Sequence, residues 1–130
     1  IDTAFANTII KVWNFFGSGA PPAVKEPVIE LYNELIQKFE ARGGKVVFLR
    51  CPSTKGYRMG ERMGIPRVDF YDEFIKQTNS KGYHFEDYTQ LSQFDCPEES
   101  HLYTPDAKVF TTELVNIMKK DGILTNTKTN

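Results

Sequence analysis

Residues 27–50, PVIELYNELIQKFEARGGKVVFLR, decide the fold class. Val28, Leu31, Tyr32, Leu35, Ile36 and Phe39 recur every three or four positions, which lines one face of an α-helix. Proline is tolerated in the first turn of such a helix, and Gly43-Gly44 supplies the stop. Lys45–Arg50 (KVVFLR) follows at once as a continuous β-branched and aromatic run, the composition of a strand buried on both faces of a parallel sheet. A helix, a glycine pair and a buried strand make half of a βαβ unit.

Upstream, Ala4–Phe16 carries Phe5, Ile9, Val12, Trp13 and Phe16 at helical spacing, and Gly17-Ser18-Gly19 with Pro21-Pro22 breaks the pattern. Downstream, Cys51–Gly56 is expected as a loop leaving the carboxyl end of the strand, the edge at which ligands collect in open α/β sheets. Gly56, Gly60, Gly64 and Pro66 predict an irregular connection; Phe70, Phe74 and Ile75 predict a short helix closing at Asn79–Gly82. Tyr83–Tyr88 alternates like a short strand, and Asp95–Tyr103 has no period and reads as a loop. Thr104 as N-cap, Pro105 and Asp106 open a last helix with Val109, Phe110, Leu114, Ile117 and Met118 on its apolar face, ending near Gly122.

These elements predict one α/β domain over residues 1–124, a three-layer arrangement with a mainly parallel sheet, and a flexible tail at 125–130. Two clear strands are fewer than such a sheet needs. The fold is therefore expected to be incomplete at its amino terminus, with strands upstream of Ile1 or from another chain, and a start at Ile rather than Met fits a processed chain. The first helix, with Trp13, Phe15 and Phe16, is the natural candidate for self-association if it lies exposed.

Composition narrows the function classes. A hydrophobic fraction of 40% and an aromatic fraction of 13% describe a folded chain. Sixteen basic against seventeen acidic residues leave a net charge of −1, so no global positive field favours nucleic acid or anionic lipid. No run approaches the roughly 18 to 20 apolar residues of a membrane span, and the chain is expected to be soluble, in a compartment left open. Cys51 and Cys96 could form a disulfide, act separately or both be buried thiols, the last being the base-rate expectation.

The chemistry-bearing residues concentrate at Asp95–His101. His101 sits in a polar loop ahead of a capped helix, preceded by Asp95, Glu98 and Glu99; a carboxylate beside an imidazole fixes its tautomer and stabilises its charged form, making it an effective general base. Other constellations are weaker. Arg58 lies one residue too far from Cys51 for a Cys-x5-Arg phosphate loop, and Pro52 removes an amide from it. His84, Asp87, Asp95, Cys96 and His101 lack paired metal-ligand spacing, so neither a metal nor a cofactor is expected, and His84 between Tyr83 and Phe85 reads as the outward residue of a strand. Ser53 and Ser100 read as turn or capping serines.

Glu98-Glu99-Ser100-His101-Leu102, then Pro105-Asp106-Ala107 and a helix opening Val109-Phe110, resembles the last conserved block of SGNH (GDSL-type) hydrolases. That block has an acid, two residues, and the catalytic His. The helix, Gly-Gly and strand ending in Pro52-Ser53 stand in the same order ahead of it, so the resemblance spans roughly residues 27–122 as architecture, with a flavodoxin-like three-layer sheet implied. It implies that His101 is the general base of a serine esterase or acyltransferase, that Glu98 orients it where the family has Asp, with Asp95 as fallback, and that the substrate is a small-molecule or carbohydrate ester. The family's Gly-Asp-Ser block and its Gly and Asn oxyanion donors have no counterpart here, which places the nucleophile outside these residues. The competing expectation is a non-catalytic binding or accessory domain that uses the Cys51–Arg58 loop and the acidic loop as a recognition edge.

Overall fold

The computed structural model of the chain describes residues 2–18 and 24–124. Among them, helices and strands follow in the order α1 (Thr3–Gly17), α2 (Glu26–Glu40), β1 (Val47–Arg50), α3 (Lys55–Gly64), α4 (Glu73–Gln77), β2 (Lys81–His84), α5 (Thr89–Ser92) and α6 (Thr104–Lys120). A π-helical turn at Val68–Asp72 runs into α4, and a 3-10 turn at Phe85–Asp87 follows β2. The tail at 125–130, and Gly19, Pro21 and Pro22 of the expected break, lie outside the described residues.

The two strands pair in parallel, Val47 opposite Lys81 and Arg50 opposite His84, and form the whole sheet among the described residues. A three-layer, mainly parallel fold is thereby ruled out: helix dominates, and the sheet is two strands of four residues each. The difference arises after β1. Gly56, Gly60 and Gly64, expected in an irregular connection, lie inside α3. Contacts from outside the helix override glycine's poor helix propensity there: Glu61 takes Arg50 and Ser53, and Glu99 accepts from the Tyr57 amide. Sheet pairing ends at His84, whose Nδ1 accepts from the Glu86 amide at 3.2 Å and turns the second half of the expected Tyr83–Tyr88 strand into the 3-10 turn.

Strand alternation puts Phe48 and Gly82 on one face of this ribbon and Leu49 and Tyr83 on the other. On the first face Phe48 packs edge-on against Tyr32 of α2 and Phe74 of α4, with centroids 5.8 and 4.8 Å away. Gly82 permits this approach, because a Cβ there would stand 2.7 Å from the Tyr71 hydroxyl and 2.8 Å from Ile75. On the second face Tyr83 is wholly buried and donates to Asp121 at the end of α6. The main core joins it: Phe85, Leu91 and Phe110 are buried together, with Tyr88, Phe94, Leu102, Leu114 and Ile117 packed around them.

Two helices turn a different face inward from the one their spacing suggested. In α1 the covered stripe is Ala6, Ile9, Ile10 and Trp13, while Phe5, Val12, Phe15 and Phe16 stand exposed. In α2 only Ile29 and Ile36 are buried, and Leu31, Leu35 and Phe39 remain 54, 50 and 45% exposed. Gly43, at φ +84°, ends α2 where the sequence placed the stop. Helix α6 opens at Thr104 itself, with Tyr103 at the cap position. No helix among the described residues is long and apolar enough to cross a membrane.

Leu91 is fully buried between Phe85 and Phe110. Leu91→Ala is expected to destabilise the chain by about 3 kcal/mol, seen as a lower urea midpoint at unchanged slope; a change below about 1 kcal/mol would place the core elsewhere.

Candidate functional site

Residues 51–57, leaving β1 at its carboxyl end, are latched to residues 95–101. The Thr54 amide donates to the Glu99 carbonyl at 2.9 Å, the Thr54 hydroxyl lies 3.3 Å from the Cys96 carbonyl, and the Glu99 carboxylate accepts from the Tyr57 amide at 2.8 Å. That last bond satisfies one of the amides left unpaired at the start of α3 and places a negative charge at the helix's positive end. Glu99 adopts φ +76°, a left-handed conformation that costs a non-glycine residue about 1–2 kcal/mol. Its amide, carbonyl and side chain all find partners in that conformation, which is what holds it there.

The latch sets the position of Glu98 and His101, on either side of Ser100. His101 Nδ1 lies 2.8 Å from Glu98 Oε1, and Ser100 Oγ donates to Glu98 Oε2 at 2.7 Å. Ser100 Oγ is also 2.9 Å from His101 Nδ1. A further donor arrives from α1: Trp13 Nε1 reaches Glu98 Oε2 at 3.0 Å, its ring edge-on to Tyr57 at 5.5 Å and 6.4 Å from the imidazole. The Glu98 side chain is only 11% exposed, whereas that of His101 is 74% exposed. Burial alone would push the Glu98 carboxyl up; the hydrogen bonds from Trp13, Ser100 and His101 outweigh it and hold the group below the usual carboxylate range. Glu98 is therefore ionised at neutral pH and can only accept, so the neutral imidazole carries its proton on Nδ1 and leaves Nε2 as a bare base. None of the hydrogen bonds among the described residues uses that Nε2.

No family model matches the chain, and no curated protein or solved structure matches it either.

Asp95 pairs with Lys55 at 3.0 Å, both well exposed, and has no bond to the imidazole. Ser53 is buried and donates to Glu61 at 2.5 Å. Arg58 meets Glu86 at 2.5 Å and lies over the Phe85 ring, so the Cys51–Arg58 loop spends its cations on internal partners and offers no phosphate cradle. Cys51 and Cys96 are both free; Cys96 is buried and donates to the Pro52 carbonyl, its thiol pushed up to about 11 mainly by burial, while Cys51 is exposed rather than buried. Among the described residues no group of three His, Cys, Asp or Glu could hold a metal. His84 is also corrected: it is 2% exposed, stacked on Phe85 and edge-on to Tyr71, not on the outer face of a strand. Sequence reasoning missed Trp13 as a partner of Glu98; its one signal was a place on the Ala6, Ile9, Ile10 stripe of α1.

Burial, with the charge of Arg67 second, lowers His84 from 6.5 to about 4, so the fold holds it neutral while the unfolded chain protonates it. Its contribution to stability is complete above pH 6.5 and is lost as pH falls to about 4. Glu86 is opposed by burial but lowered to about 2 by Arg58 and Arg62, and its contribution is lost in a later window, from pH 4.5 downward. Thermal melts should thus show Tm falling between pH 6.5 and 4.5 in the native chain and nearly flat there in His84→Gln, with the steeper loss at lower pH retained in both. Equal slopes for the two proteins across the upper window would contradict a buried neutral His84.

Proposed function

We propose that the chain carries the base-bearing part of a serine esterase or acyltransferase, of the SGNH type that its Glu98–His101 block resembles. One observation carries this reading: a buried, ionised carboxylate bonded to Nδ1 of a histidine whose ring opens to solvent, leaving Nε2 free. In the reaction, His101 Nε2 takes the proton of a serine hydroxyl as the serine oxygen attacks the ester carbonyl, then returns it to the departing alcohol oxygen. Glu98 stays ionised throughout and steadies the transient imidazolium. Trp13 and Ser100 act on the base only through Glu98, as positioning residues. The serine and the oxyanion donors come from outside these 130 residues, and the substrate is an ester of a small molecule or carbohydrate.

A non-catalytic binding module is the second reading, favoured by the absence of a serine within bonding reach of Nε2 among the described residues. Labelling of the natural protein with a fluorophosphonate probe separates the two. An adduct on one serine is expected, with the labelling rate lowered about 10²- to 10⁴-fold in His101→Ala and in Glu98→Gln, and less in Trp13→Phe. No adduct, or an adduct indifferent to His101→Ala, would refute the catalytic reading.

A further inference from the structure

β1 is an edge strand: among the described residues no second strand pairs with it on the side away from β2. Its one sheet neighbour among the described residues is β2; beyond that pairing, the only partner of a backbone group in Val47–Arg50 is the Tyr71 hydroxyl, which donates to the Phe48 carbonyl at 3.1 Å. β2 is different: Tyr83 and His84 are buried, and Lys81 and Tyr83 both bond Asp121 of α6. A row of unpaired amides and carbonyls on a β-branched, aromatic strand is a template for another strand.

Beside this edge runs a groove of about 620 Å³ between α2 and β1. Tyr32, Leu35, Phe39, Val46 and Phe48 give it an apolar lining. Its charged lining residues are Lys38 and Arg42, with no carboxylate. Glu34 answers Lys38, but Arg42 stacks over the Phe39 ring and pairs with no acid among the described residues, and Lys45 stands exposed just before β1. The site thus offers three things at once: a backbone ladder, an apolar trough alongside it, and a positive end.

We propose that the outer edge of β1 receives an extended segment of a partner polypeptide as a third strand, apolar on the side facing α2 and acidic at the end meeting Arg42 and Lys45. An extended strand is the structure whose alternating amides and carbonyls match the open edge while its alternate side chains fill the trough. Charge disfavours a second copy of this chain as occupant. Its own Lys45–Arg50 segment carries two cations and no carboxylate, so pairing with a second copy would set like charges against the positive end.

The test uses a short synthetic peptide of alternating valine and threonine with paired aspartates at one end, against the same peptide with lysines in their place. Hydrogen exchange of the native chain should slow at the β1 amides on adding the aspartate peptide, which should bind about tenfold tighter than the lysine peptide. That preference should reverse in a chain carrying Arg42→Glu and Lys45→Glu, both exposed changes that leave the core intact. Unchanged exchange at β1, equal binding of the two peptides, or protection that grows with protein concentration in the absence of peptide, the mark of self-pairing, would each overturn the proposal.

Discussion

A carboxylate taken out of water must be repaid by donors, and that requirement at Glu98 organises the candidate site. An isolated buried charge costs several kcal/mol, so Glu98 can lie under the surface only because Trp13, Ser100 and His101 all point protons at it. Two of these donors are local in sequence; the third draws α1 onto the loop that precedes α6. The same three bonds that make burial tolerable also determine the chemistry, since they keep Glu98 ionised, hold the His101 proton on Nδ1 and turn Nε2 outward.

That carboxylate is positioned by its neighbour. Glu99 accepts an unusual backbone conformation and uses its carboxylate to cap α3, so the loop bearing the dyad and the loop leaving β1 are bonded to each other. Two adjacent glutamates therefore do different work, one structural and one electrostatic. Below them, the crossover from β1 to β2 is tied down by charge: Arg50, Arg58 and Arg62 are each matched to Glu61 or Glu86, and Arg67 to Asp72 and Asp87. The cations of this edge are committed internally, whereas Arg42 and Lys45 beside the α2–β1 groove meet no acid among the described residues.

Much of this was legible in the sequence where the signal was local. The existence of α2, its glycine stop, the run that forms β1, and the Pro105-Asp106 opening of α6 each follow from short-range rules; which face of α2 packs inward does not. The Glu98–His101 contact was legible for the same reason, because three residues of separation in a turn bring the two side chains together. Helix α3 was not, since three glycines in ten residues argue against helix until contacts from Arg50, Ser53 and Glu99 are known. Trp13 could not be assigned to Glu98 across 85 residues of chain, and α1 carries two overlapping apolar stripes, of which the structure covers Ala6, Ile9, Ile10 and Trp13. The three-layer sheet failed because the described residues supply only the two strands that the sequence marked, the second cut to Lys81–His84 by the 3-10 turn, and helix fills the rest.

Everything claimed for the site rests on which nitrogen of His101 holds the proton. The direct measurement is the nitrogen-15 NMR spectrum of the His101 ring in the native chain and in Glu98→Gln, at a pH high enough for the neutral ring to dominate. A proton on Nδ1 and a bare Nε2 in the native chain, with the preference weakened in Glu98→Gln, is the expected result. A proton on Nε2, or a spectrum that Glu98→Gln leaves unchanged, would mean that the carboxylate does not orient the imidazole.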